Sequence, residues 1–186
     1  GLSLSPEGEV WSGARCVGTL PDPADDTLDV QNHFALIEQV AAHHGDRPGL
    51  VAAYARAIRL DDLGAFGLAV KTAPRLKDSL IRLQGYFRLL SDTALYRLET
   101  REEMALIHIE GLTALHPALA LRNECALAGL VRNLRDVVEG DLALNEVRFR
   151  HACATDPSQL SAVFGCPVRF GASEDAIVMS RSELER

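Results

Sequence analysis

The sequence predicts an α+β domain in which several helices pack on a small mixed or antiparallel sheet. Apolar residues recur at helical spacing through 30–58, 76–90 and 117–139. The spacing shortens to alternation in a hairpin near 95–109 and in strands near 146–151, 168–170 and 176–179. Helices come first, then the hairpin, a long helix, a strand, a short helix and two strands, an order that sets helices on one side of a thin sheet.

Residues 1–30 are expected to be irregular, and 31–186 to form the folded domain. Pro21 and Pro23 break regular structure, and Asp22, Asp25, Asp26 and Asp29 make a short acidic cluster. Val10 to Leu20 supports at most one short strand. Val30, Phe34, Ile37, Val40 and Ala41 then fall on one helical stripe, which Gly45 stops as a C-cap. Pro48 suits the first turn of a second helix, with Leu50, Val51, Tyr54 and Ile58 on its apolar side. Leu63 to Lys71 reads as a short buried helix whose glycines allow close approach. Leu76, Leu80, Leu83, Phe87 and Leu90 form the clearest stripe, with Thr72 as the expected N-cap and Pro74 in the first turn.

Leu95 to Thr100 and Met104 to Ile109 read as the hairpin around Arg101-Glu102-Glu103, which lacks the favoured Asn-Gly or Asp-Gly. A helix follows from Pro117 to Glu139, with Leu127, Leu130, Val131, Leu134 and Val138 as its stripe, closed by Gly140. Val147, Phe149 and His151 alternate with Arg148 and Arg150 as a half-buried strand does. Asp156-Pro157-Ser158-Gln159 starts a short helix ended by Gly165.

The chain has 186 residues, 47% of them hydrophobic and 24% charged, which is globular composition and excludes disorder throughout. No apolar run approaches the roughly 20 residues of a membrane span, so no membrane contact is expected. Gly1 to Val10 lacks the basic start and apolar stretch of a secretory leader. The formal net charge of -7 argues against this segment gripping DNA or RNA by itself. Cys16, Cys125, Cys153 and Cys166 form no C-x-x-C pair, so free thiols in a reducing cytoplasm are expected.

Catalytic and metal-binding patterns are thin. Neither H-E-x-x-H nor paired C-x-x-C occurs, and His151, Cys153 and Cys166 are the one loose cluster, equally readable as buried packing. There is no G-x-S-x-G elbow, and Cys125 lies inside a predicted helix among small apolar residues. Gly64 and Gly67 fit a tight helix crossing better than a phosphate loop. No catalytic residue, metal or cofactor is therefore expected. What remains is apolar surface spread over helices and one thin sheet, a layout that can enclose a ligand cavity. Phe66, Tyr86, His108 and Phe149 are the candidate lining residues, with ordinary core packing as the alternative for each.

Three stretches resemble a known family. His44-Gly45-Asp46-Arg47-Pro48-Gly49-Leu50 is similar to the Gly-Asp stretch that follows that family's first long helix. Gly64-Ala65-Phe66-Gly67-Leu68-Ala69 leads through Leu76, Leu80 and Tyr86 to Leu89-Leu90-Ser91-Asp92 in a similar order. Val147-Arg148-Phe149-Arg150-His151 is followed by Phe164-Gly165-Cys166-Pro167-Val168-Arg169-Phe170-Gly171 and then Ala176-Ile177-Val178. Together, over about 30–184, they resemble the N-terminal regulatory domain of AraC-type bacterial transcription regulators, in the helical arabinose-binding-like subgroup. Arg101-Glu102-Glu103 departs from it, since the family often has a glycine in that turn.

The resemblance implies a sensor that takes a small-molecule effector and forms a homodimer, not an enzyme. It implies contact with promoter DNA only through a separate C-terminal domain with two helix-turn-helix motifs, which is expected but absent from these 186 residues. No family-wide ligand set transfers. Binding would act by shifting the weight of one packing over another. The polar face of the 117–139 helix, with Arg132, Asn133 and Arg135, is the candidate dimer surface, a solvated face being the alternative. Two other readings are a ligand-free dimerisation module and a small enzyme using Cys125 or a histidine.

Overall fold

The computed structural model describes residues 2–5, 9–19, 30–138, 140–153 and 156–186. Within them the chain is α+β, with two sheets. The opening segment corrects the expectation of irregularity. β1 (Leu2–Leu4), β2 (Glu9–Ser12) and β3 (Arg15–Thr19) form a three-stranded antiparallel sheet in that order. Ser12 pairs with Arg15, so Gly13 and Ala14 are a two-residue hairpin loop, and Gly13 adopts φ +60°. Glycine at the first loop position is a known hairpin preference, and it was the overlooked signal. Pro21, Pro23 and the acidic cluster lie outside the described residues.

α1 (Val30–His44) ends as expected at Gly45, φ +69°. The Asp46 side chain then caps α2 (Arg47–Ala57), accepting from the Gly49 N–H at 3.1 Å. A 3-10 turn over Leu60–Leu63 leads into α3 (Gly64–Lys71). Gly67 is indispensable to that packing: a Cβ there would sit 1.7 Å from the Leu60 carbonyl oxygen. α4 spans Leu76–Tyr86 and tightens to a 3-10 turn over Phe87–Leu89. Thr72 is not its N-cap. The Thr72 N–H and hydroxyl both donate to the Leu68 carbonyl, finishing α3, while Arg75 occupies the cap of α4. Buried Ser79 donates to the Val70 carbonyl and fastens α4 to α3.

The main sheet is built from β4 (Ala94–Arg101), β5 (Met104–Gly111), β6 (Glu146–Arg148), β7 (Val168–Arg169) and β8 (Ala176–Ser180). Its order is β4-β5-β8-β6-β7, antiparallel except for the β6–β7 pair, so the sheet is mixed. The β4–β5 turn uses Glu102 at φ +47°, a left-handed conformation unusual for this residue. β6 is shorter than the predicted 146–151. Past Arg148 the backbone bonds to the end of β7 and the turn after it: the Phe149 N–H donates to the Arg169 carbonyl and the His151 carbonyl accepts from the Gly171 N–H. α5 (Ala118–Val137), α6 (Pro157–Phe164, capped by Asp156) and a final short α7 (Arg181–Leu184) complete the fold.

The two faces of this sheet differ in kind. Ala105, Ile107 and Ile109 on β5, with Ile177, Met179 and Val147, join Leu80 and Leu83 of α4 and Leu127, Val131 and Leu134 of α5 in one core. Each such side chain adds about 1.5–3 kcal/mol by leaving water. The opposite face carries rows of paired charge. Arg97 bonds Glu110 and Glu99, and Arg148 bonds Glu146 and Glu174.

α5 packs through the middle of the domain, and of the face expected as a dimer surface Arg132 stays exposed and pairs with Asp136, while Asn133 and Arg135 turn to neighbouring elements. Asn133 is buried, accepting from the Leu60 N–H and donating to the Ile58 and Gly129 carbonyls. Arg135 donates to the Phe164 carbonyl. Asn133 and Arg135 thereby satisfy backbone groups of neighbouring elements.

Candidate functional site

The four residues expected to line a cavity stand apart. Phe66 is buried and its ring meets Phe87, which in turn meets Tyr96. Phe149 is buried in a second ring cluster with Phe164, Phe170 and His151. Tyr86, at the end of α4, is 50% exposed. His108 is buried on the opposite face of the sheet, between the carboxylates of Glu99 (3.2 Å) and Glu174 (3.7 Å). Strand parity explains this: Ile107 and Ile109 point to the core, so His108 points away. Burial and the nearby Arg97 lower its pKa despite those carboxylates.

Two grooves among the described residues are lined by none of these four. One, of about 350 Å³, lies between α2, α5 and α6 and is bordered by Ala52, Arg56, Arg132, Arg135 and Val163. The other, of about 250 Å³, lies by the 3-10 turn, against Arg59, Asp61, Lys71 and Asp136. Among the described residues, no three His, Cys, Asp or Glu side chains converge as a metal site. Cys153 of the loose cluster is exposed and Cys166 buried. Burial pushes the Cys125 thiol up to about 12, so it stays protonated at neutral pH.

The sequence reading missed two ionised groups drawn into the protein, both on α5. Glu124 is buried at the centre of a triad. Arg47 grips it through Nε (2.7 Å) and Nη2 (2.9 Å), and His151 Nε2 lies 2.7 Å from its other side. Burial works to raise the Glu124 pKa, but hydrogen bonds from His151 and Arg47 outweigh it and the net shift is downward. A signal was available: Glu124 extends the stripe of Leu127, Val131 and Leu134 by one turn, and a charge on a core stripe needs partners.

Arg122 is the other group. Its Nε and Nη2 atoms are buried and, among the described residues, neither has a hydrogen-bond partner. Burial lowers its pKa, against attraction from Asp175. That carboxylate is occupied elsewhere, by Asn123 Nδ2 at 2.9 Å and the Arg150 N–H at 2.8 Å. Beside Arg122 on α1, His33 is held neutral first by burial and then by the Arg122 charge. Phe34 stacks on His116 at 4.5 Å, pinning α1 to the start of α5.

The family comparison agrees with this architecture. Residues 16–186 match the arabinose-binding domain of AraC transcription regulators, N-terminal. A crystal structure of the transcriptional regulator CdpR from Pseudomonas aeruginosa superposes with a TM-score of 0.67 at 16% identity, over 88% of this chain and 53% of that one. The chain thus spans about half the length of that regulator, and at this identity the likeness is one of fold. Comparison with curated proteins returns no match. With its fold and 171 consecutive residues (16 to 186) in agreement, the chain belongs to the family of N-terminal arabinose-binding domains of AraC transcription regulators.

Proposed function

We propose that this domain senses a small-molecule effector and passes the result, within a homodimer, to a separate helix-turn-helix domain that contacts promoter DNA. The observation that carries the reading is the family match over residues 16–186. Charge supports leaving DNA to another domain. The net charge is -7, and the arginines of the outer sheet face, Arg97, Arg101, Arg148 and Arg169, are each paired with glutamates. A surface whose positive charges are already neutralised releases few counterions from nucleic acid. The protonated Cys125 supports a non-catalytic role. No helix among the described residues is long and apolar enough to cross a membrane, and a regulator of promoter DNA works in the cytoplasm.

The test is thermal unfolding of the chain against a library of sugars, amino acids and organic acids, with light scattering to give the mass. A ligand at about 100 times its Kd should raise Tm by roughly 5–10 °C for a chain of this size. A flat response across the library from a dimeric protein would favour the ligand-free dimerisation module instead.

A further inference from the structure

Resting on the ligand-sensing reading, we propose that Arg122 anchors the carboxylate of an organic-acid effector, where the start of α5 meets α1 and the open end of the β4–β5 hairpin. The first ground is the geometry of the guanidinium. Nε and Nη2 form one edge of its planar fork and present two parallel N–H groups, the pattern that matches a carboxylate. Arg47 uses this same edge on Glu124, at 2.7 and 2.9 Å. In Arg122 the edge is buried and, among the described residues, no group accepts from it. Buried donors without an acceptor are costly, and a bound carboxylate removes that cost.

The surroundings suit an outside partner better than an inside one. Asp175 attracts Arg122, but both its oxygens are engaged, by Asn123 and by the Arg150 backbone. Gly111, paired with Ala94 at the open end of the hairpin, has no side chain to cover the edge; a Cβ there would stand 3.5 Å from Nη2. Two further buried polar atoms close in the chain, Thr113 Oγ1 and Asn123 Oδ1, also have no partner. Four of the six such atoms among the described residues therefore belong to Thr113, Arg122 and Asn123. The neutral His33 adds no second cation, and Asp175 repels extra negative charge, so a monoanionic carboxylate fits better than a phosphate dianion.

Thermal unfolding with matched probes tests this: hexanoate, benzoate and succinate against hexanamide, benzamide and succinamide, at constant ionic strength. At least one acid should raise Tm in proportion to the logarithm of its concentration above Kd, by roughly 5–10 °C near 100 times its Kd, while its amide does not. Arg122→Gln should abolish the shift. Should that variant fold poorly, Gly111→Leu keeps the guanidinium and covers its edge, and it should weaken binding at least tenfold. Equal shifts from acid and amide, an acid shift that survives both substitutions, or no shift from any acid would overturn the assignment. A neutral sugar that raises Tm while every acid fails would overturn Arg122 as anchor and leave ligand sensing standing. Silence from the whole metabolite library would remove sensing itself.

Discussion

Glu124 and Arg122 stand two positions apart on α5, and the domain treats them in opposite ways. Two residues turn a helix by about 200°, so the pair face different sides. Glu124 faces α2 and the segment after β6, where Arg47 and His151 saturate its carboxylate. Arg122 faces α1 and the hairpin, where its outer edge meets no acceptor. The satisfied group ties three distant segments together. The unsatisfied one makes no such tie through its Nε–Nη2 edge, which leaves that edge available to a partner from outside.

The largest expected effect is on the satisfied side. Glu124→Ala leaves Arg47 and His151 facing a buried gap and should cost about 3–5 kcal/mol in urea unfolding. A loss below about 1 kcal/mol would break the comparison, because Glu124 would then tie nothing together. His151→Ala should cost less, about 1–3 kcal/mol, because Arg47 still holds the carboxylate.

Acid should reveal the same order. The folded pKa values of His108 and His33 lie below the ordinary 6.5, so the unfolded chain takes up protons first. Their contribution to stability is complete above pH 6.5 and is lost as pH falls from there toward their folded values. The Glu124 pKa lies below the ordinary 4.5, so its contribution is lost in a second step beginning near pH 4.5 and continuing downward. Glu99 and other paired carboxylates lose stability in the same acid range, so unfolding measured from pH 8 to pH 3 should show both steps, and Glu124→Gln should shrink the second while leaving the first unchanged.

The smallest effect sharpens the contrast. Arg122→Leu removes a charge that bonds nothing through its Nε–Nη2 edge, and it should leave unliganded stability within about 1 kcal/mol of the parent. A loss as large as that of Glu124→Ala would show that Arg122 is structural.

Much of this fold was legible in the chain. The stripes of Phe34, Leu80 and Leu134, the cap at Asp46, the Gly45 stop and the hairpin at 102–103 each depend on residues within a few positions of one another. The failures share a cause. Thr72 has the chemistry of an N-cap, and only the placement of α3 and α4 showed that its hydroxyl closes the earlier helix. Arg132, Asn133 and Arg135 look like a solvated or dimer face by period, until Ile58, Leu60 and Phe164 arrive to use Asn133 and Arg135. His108 was legible as a strand residue, but Leu106 beside it is apolar too, which hid the sheet face it points to.

From residue 30 onward the chain alone therefore determined the order of the main helices and strands, their boundaries to within a few residues, and the family to which they belong, while the opening three-stranded sheet escaped it. Local periodicity and capping require no knowledge of distant neighbours. Tertiary packing alone decided which buried charges find partners. Arg47 and Glu124 are 77 positions apart and His151 lies another 27 along. A charge's surroundings depend on which elements meet there, and that packing leaves Glu124 fully bonded while Arg122 keeps a buried edge that no described residue accepts from.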